Sequence, residues 1–221
     1  VMKRALILGA SGGIGSAVAN NLKKQYWDVT SLSRSLDQFD ITNEDSVQAS
    51  LGSVIGPFNY ILIATGALEI KSTPEKSINH LSQSNMIDHF VTNTIGPALI
   101  LKHIRLLLDK KSSSIVSVLS ARVGSIEDNK LGGWYSYRAA KAAVNQIVKS
   151  FSIELSRSHP KACLLAIHPG TVDTNLTQKY SSNYPKQTPA EAAQNILDVT
   201  LNKDTSQTGK FFDWANKEIP W

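Results

Sequence analysis

Short unbroken apolar runs alternate with helical patterns from one end of this chain to the other. That alternation restricts the fold more than any composition figure does. The runs are 5–8 (ALIL), 28–32 (DVTSL), 60–64 (YILIA), 115–119 (IVSVL), 163–167 (CLLAI) and 210–212 (KFF). Between them, helical spacings cover 14–24, 43–50, 81–108 with Gly96-Pro97 inside, 137–156 and 189–200. Strands that are apolar throughout have both faces covered, which is the signature of a parallel sheet between helical layers. Parallel neighbours need crossovers, and crossovers are right-handed. The expected fold is therefore α/β, one doubly wound parallel sheet with helices on both faces. Such a sheet takes its ligands at the carboxyl ends of its strands.

At 221 residues the chain is long enough for one sizeable core and short for two. A single domain over 1–221 is expected, with a substrate pocket formed by its C-terminal part. The net charge of +5 comes from scattered Lys and Arg with no arginine-rich block, so a nucleic-acid partner is not expected. No run of about 18 apolar residues occurs, so a membrane span is not expected either. The opening VMKRALILGA is basic and then apolar. Its apolar run is too short for a leader and enters a glycine-rich turn, so it is read as the first strand. Cys163 is the one cysteine. It cannot form an internal disulfide, which fits a cytoplasmic protein.

Residues 9–15 read GASGGIG and lie where the first strand passes into the first helix. Glycine tolerates positive φ and close approach of a phosphate, and a helix N-terminus offers free N–H groups and a positive dipole end. A plain tight turn would use glycines too, but the strand–turn–helix setting favours dinucleotide binding through Gly9, Ser11, Gly13, Ile14 and Gly15. The second strand runs into SLSRS at 31–35. It carries Arg34 and no acid, where an acid would favour a ribose 2′-hydroxyl and repel a 2′-phosphate. A guanidinium suits a phosphate dianion, so NADP(H) is expected and NAD(H) less so. The alternative for Arg34 is a solvated surface charge.

The stretch YSYRAAK at 135–141 places Tyr137 and Lys141 four residues apart on one helix face. At about 100° per residue, Lys141, Val144, Val148, Phe151 and Leu155 share the stripe of Tyr137, and Tyr135 points away. A lysine on an apolar stripe needs a reason. An ammonium beside a phenol is expected to lower its pKa and ready it for proton exchange near neutral pH. A lysine reaching out from a half-buried face is the plainer explanation, and Y-x-x-x-K alone is a weak motif.

GASGGIG, Tyr137 with Lys141, and HPGTVDT at 168–174 together resemble the short-chain dehydrogenase/reductase family, whose domain is a Rossmann fold. The order of the motifs is that of the family. The resemblance implies a catalytic set of Asn93, Ser120, Tyr137 and Lys141. It implies cofactor contacts from Arg34, Asp40, Ile41, Ala64, Gly66, Tyr137, Lys141, Pro169, Gly170, Val172 and Thr174 in addition to the turn, and no metal. In that family Tyr137 would give a proton to the nascent alkoxide and Ser120 would hold the substrate oxygen. Lys141 would tune Tyr137 and bind the nicotinamide ribose, and Asn93 would keep a water in line with Lys141. SARVGS, LGGWYSYRAAK and FFDWANKEIPW look most like the C-factor and sniffer-type carbonyl reductase branch. The chain departs from the family at Leu8, at IATG (63–66), in a longer stretch between Ser120 and Tyr137, and in a short segment 175–188.

The resemblance implies hydride transfer between a nicotinamide and a small carbonyl or alcohol. Ile126, Trp134, Leu176 and Tyr180 are candidate pocket walls for an apolar ketone or aldehyde, though each could be packing. His168 is read as structural or at the pocket edge. A cofactor-binding signalling protein with vestigial catalysis is the competing function, and an extended-family epimerase ranks below it. A homodimer or homotetramer is expected, from Ile104 and Ile153 lying beyond one apolar stripe. Between Ser120 and Ser125, Ser120 is preferred because it follows a strand, whereas Ser125 is expected on a mobile, solvated loop.

Overall fold

A computed structural model describes residues 2–174, 177, 179, 180 and 185–221. Six strands form one parallel sheet: β1 (Arg4–Leu8), β2 (Asp28–Leu32), β3 (Tyr60–Ile63), β4 (Ser114–Leu119), β5 (Ala162–His168) and β6 (Lys210–Asp213). Their order is β2-β1-β3-β4-β5-β6, and every pairing between strands is parallel. The chain runs outward from β1 to β2, then returns across β1 to β3. The winding therefore reverses between β1 and β3, where an open sheet leaves a crevice at its carboxyl edge.

Successive residues of each strand feed opposite cores. Leu6 and Leu8 pack with Ile61, Ile63, Val116 and Val118 on one face. Ala5 and Ile7 pack with Tyr60, Leu62, Cys163 and Leu165 on the other. The first core is covered by α3 (Glu44–Gly52), α5 (Gly96–His103) and α6 (Tyr135–Ser158). The second is covered by α1 (Gly13–Lys24) and α7 (Pro189–Thr200). A short helix α2 (Arg34–Asp37) follows β2. The alternation in the sequence thus has the physical origin expected of it, strands that must be apolar on both sides.

The 81–108 stretch is not one helix. It contains α4 (Gln83–Phe90), a π-helical turn at Val91–Ile95, α5 and a 3₁₀ turn at Ile104–Leu107. The π turn sits just before Gly96-Pro97, where the ring removes a donor from the helical ladder. Ile104, expected as surplus apolar surface, is fully buried, and Ile153 is half exposed. The segment between Ser120 and Tyr137 is a loop with a 3₁₀ turn at Arg122–Gly124. It folds back onto α6: a Cβ on Gly124 would lie 2.8 Å from the backbone carbon of Lys141. Ser125 is buried, contrary to the expectation of a solvated loop, and its Oγ accepts the Asp128 N–H at 3.1 Å. Its hydroxyl closes that turn.

Candidate active site

The glycine turn is shaped by crowding. Gly9 has φ +90°, and a Cβ there would lie 2.7 Å from the carbonyl oxygen of Ala64. Glycine thus lets the ends of β1 and β3 approach at the reversal of the winding. A Cβ on Gly15 would collide with the carbonyl oxygen of Gly9, and one on Gly13 would lie 2.7 Å from Thr174 Cγ2. The segment after β5 therefore closes onto the start of α1. That helix begins with no side-chain cap and no acid in its first turn, which leaves its positive end to an incoming anion. Ser11 is exposed beside it, and Ile14 packs into the core below.

Arg34 lies two residues beyond β2, whose last carbonyl, on Leu32, accepts the N–H groups of Gly9 (2.9 Å) and Ala10 (3.2 Å). Arg34 is exposed and starts α2. Asp37, the acid nearest in sequence, turns back to accept the Ser33 N–H at 2.7 Å. No ion pair to Arg34 occurs among the described residues. Asp40 accepts the N–H of Thr42 at 2.9 Å and its hydroxyl at 2.7 Å. Those two bonds hold its carboxyl below the usual range. Ile41 packs on α5, its Cδ1 2.9 Å from where a Cβ on Gly96 would stand.

Tyr137 and Lys141 are buried on the inner face of α6, in line with Val144, Val148 and Leu155. Tyr135 is only partly buried. Lys141 Nζ donates to the carbonyl of Leu119 at 3.1 Å and stands 5.8 Å from the Tyr137 ring centroid. The expected lowering of the Tyr137 pKa does not occur. Burial pushes the phenol well above its ordinary value and pulls the Lys141 ammonium down to about 8, since desolvation disfavours the charged form of each. Gly66, with φ +144°, lies beside both partners: a Cβ there would be 2.9 Å from Asn93 Oδ1 and 3.4 Å from Lys141 Nζ. Asn93 is fully buried in the π turn. Its side chain clamps Ala67, accepting that N–H at 2.9 Å and donating to that carbonyl at 2.9 Å. These two bonds brace the loop after β3.

Ser120 follows β4, and its N–H extends the ladder to Ile167 O at 2.8 Å. Its hydroxyl donates to Asn145 Oδ1 at 2.6 Å. Pro169 and Gly170 (φ +83°) follow β5, with Trp214 2.8 Å from where a Cβ on Gly170 would stand. Val172 is buried and pairs with Gln187. The strands thus bring Gly9, Ala64, Ser120 and Pro169 to one edge of the sheet, and Lys141 reaches the same edge through Leu119. Trp134, in the left-handed region at φ +51°, stands edge-on to Tyr137 (6.3 Å) and Tyr180 (5.8 Å). Ile126 is 78% exposed, and Leu176 lies outside the described residues. Burial pulls His168 down to about 4, keeping it neutral.

Three functional neighbours escaped the sequence. Glu75 is buried and accepts Ser136 N–H at 3.2 Å, the Ser136 hydroxyl, and Asn85 Nδ2 at 2.7 Å. It caps α6, whose N-cap Trp134 supplies no side-chain bond. His89, fully buried, is 3.2 Å from Asn93 Nδ2 and edge-on to Tyr137 at 5.9 Å. Asn145 holds Ser120. The only sequence signal for Asn145 and His89 was helical spacing, four residues from Lys141 and Asn93 respectively. Glu75 gave none.

A family model described as short chain dehydrogenase matches residues 36–185. The "1-hydroxy-2-glutathionyl-2-methyl-3-butene dehydrogenase" of Rhodococcus sp. (strain AD45) is 28% identical, with all of both chains covered. The C-signal of Myxococcus xanthus is 30% identical over 66% of this chain and 84% of its own. Among solved structures, the carbonyl reductase Sniffer of D. melanogaster superposes with a TM-score of 0.86 at 20% identity, covering both chains fully. An NADPH-bound carbonyl reductase from chicken fatty liver gives 0.85 at 22%, over 100% of this chain and 94% of that one. These likenesses match the architecture described above, and the chain belongs to the short-chain dehydrogenase/reductase family of oxidoreductases.

Proposed function

We propose that this protein is an NADPH-dependent reductase of small, predominantly apolar ketones, aldehydes or quinones, working as one domain with the C-terminal part walling the pocket. The observation that carries this reading is the joint burial of Tyr137 and Lys141 beside Asn93, Gly66 and Ser120 at the carboxyl edge where the winding reverses. The residues present fit the dinucleotide. Gly9, Ser11, Gly13, Ile14 and Gly15 leave an uncapped helix end for the diphosphate. Arg34, exposed and without an ion pair among the described residues, offers a guanidinium to the 2′-phosphate. Asp40, Ile41, Ala64 and Gly66 would line the way to the edge, Lys141, Pro169, Gly170 and Val172 would hold the nicotinamide end, and Thr174, packed on Gly13, would stand between that end and the diphosphate. NADPH-bound relatives of the fold, among them the chicken enzyme, support that choice.

A bound nicotinamide supplies the hydride. The chain supplies position and the proton. Ser120 holds the carbonyl oxygen, and Tyr137 donates its phenolic proton to that oxygen as negative charge develops, so a carbonyl becomes an alcohol. Burial suits Tyr137 to this direction, because a raised pKa keeps the phenol protonated at neutral pH, and an alkoxide is basic enough to take its proton. Lys141, largely protonated below about pH 8, would offset the negative charge left on Tyr137 and hold the ribose of a bound cofactor. Asn93 braces the loop at 66–67 that the nicotinamide would touch. The Rhodococcus relative's name concerns a glutathionyl alcohol, which makes a glutathione-conjugated carbonyl a further candidate.

Similarity to C-signal favours one other reading, a cofactor-binding signal without turnover. Oxidation of NADPH followed at 340 nm against a panel of aldehydes, ketones, quinones and a glutathione-conjugated aldehyde separates the two. Turnover of any panel member supports the reductase. Tight NADPH binding with no turnover supports the signal.

A further inference from the structure

Ser120 has a single proton. In the structure that proton goes to Asn145 Oδ1, 2.6 Å away, and both side chains are buried. A serine that spends its proton on a neighbour cannot also give it to a substrate oxygen. Meanwhile Asn145 Nδ2 is buried with no partner among the described residues. An unpaired buried N–H is costly and calls for an explanation.

One motion answers both. Turning the Asn145 amide by half a turn exchanges Oδ1 and Nδ2, which have nearly the same shape. Nδ2 then donates to Ser120 Oγ, the formerly orphaned donor gains a partner, and the serine proton is released toward the cleft. No covalent bond changes. We propose that Asn145 is a positioning residue that sets the direction of the Ser120 hydroxyl: acceptor in the resting site, donor once a carbonyl oxygen arrives. The placement on α6 supports the role. Asn145 is one turn beyond Lys141 on the same buried face, and α6 is held at its start by Glu75 and along its length by the core. The proposal rests on the reading of Ser120 as the group that holds the substrate oxygen.

The test uses menadione and 4-nitrobenzaldehyde as probes with NADPH. Asn145→Asp has the same shape, but ionised it only accepts, so it keeps the serine proton. It should lower kcat/KM about 10²–10³-fold, the range for loss of one donor to an oxyanion, with NADPH affinity unchanged. Ser120→Ala should lose as much, and the two together no more than either alone. Asn145→Ala, which leaves the proton unclaimed, should lose less than Asn145→Asp. A merely structural asparagine predicts the reverse order. Asn145→Asp at the wild-type rate, or a multiplied loss in the double variant, overturns the proposal. Ser120→Ala at the wild-type rate overturns the role of Ser120 instead. Independently of turnover, the Asn145 side-chain NH₂ signals in ¹⁵N-asparagine-labelled protein with bound NADP⁺ should move when menadione is added, and stay in place in Ser120→Ala. Signals that do not move in the wild type overturn the switch.

Discussion

At the residue scale the account turns on single charges and protons. Arg34 is exposed at the start of α2 with no ion pair among the described residues, so Arg34→Glu should erase or reverse the preference for NADPH over NADH in fluorescence titrations. An unchanged ratio of the two affinities would make Arg34 a surface charge. Lys141 gives the pH dependence. Burial lowers its pKa to about 8, so the cation is present below that pH and lost above it. kcat/KM for reduction should be level through neutrality and fall above about pH 8. A limb that stays at the same pH in Lys141→Arg, which cannot deprotonate there, would belong to another group. These residues were legible because their types are informative wherever they stand: a lysine on an apolar stripe, an arginine where an acid is usual. The pKa of Tyr137 was not. Its sign depends on how much water the fold removes, and desolvation of the phenol outweighs an ammonium 5.8 Å from the ring.

At the scale of elements, α6 read well and its anchoring did not. Its stripe from Tyr137 to Leu155 follows from local periodicity, which a sequence displays. The cap comes from Glu75, 61 positions away from Ser136, and no local pattern announces a partner at that separation. The break of the 81–108 stretch was hinted at by Gly96-Pro97, but the π turn that buries Asn93 needed tertiary packing to fix it. Glu75→Ala should destabilise the protein by about 3 kcal/mol by leaving buried donors unpaired. Glu75→Gln, which keeps one acceptor, should cost less; equal costs in denaturant melts would contradict the capping role. Burial would raise the Glu75 pKa, but the bonds from Ser136 and Asn85 outweigh it and hold it below the ordinary value. Its contribution is therefore complete above the pH where an unfolded glutamate titrates, about 4.3, and is lost as pH falls through the lower folded value. Wild type and Glu75→Gln should differ least in stability at the acid end.

For the whole molecule, the parallel sheet and both helical layers were contained in the alternation of apolar runs, because a strand covered on both sides leaves few other solutions; the strand order β2-β1-β3-β4-β5-β6 was not. The edge of the sheet that carries the site followed from the same alternation, since the glycine turn, Ser120 and HPGTVDT each fall where a strand ends. What stayed hidden was how the ends are joined: the return of the loop after Ser120 onto α6 and the brace of Asn93 on Ala67. The most direct measurement compares Tyr137→Phe and Tyr135→Phe for NADPH-linked reduction of whichever panel carbonyl the wild type turns over, with NADPH affinity measured alongside. Tyr137→Phe should abolish turnover and bind NADPH nearly as wild type does, and Tyr135→Phe, directed away from the buried face, should keep most of its activity. Undiminished turnover in Tyr137→Phe, or equal losses in the two variants, would contradict the account.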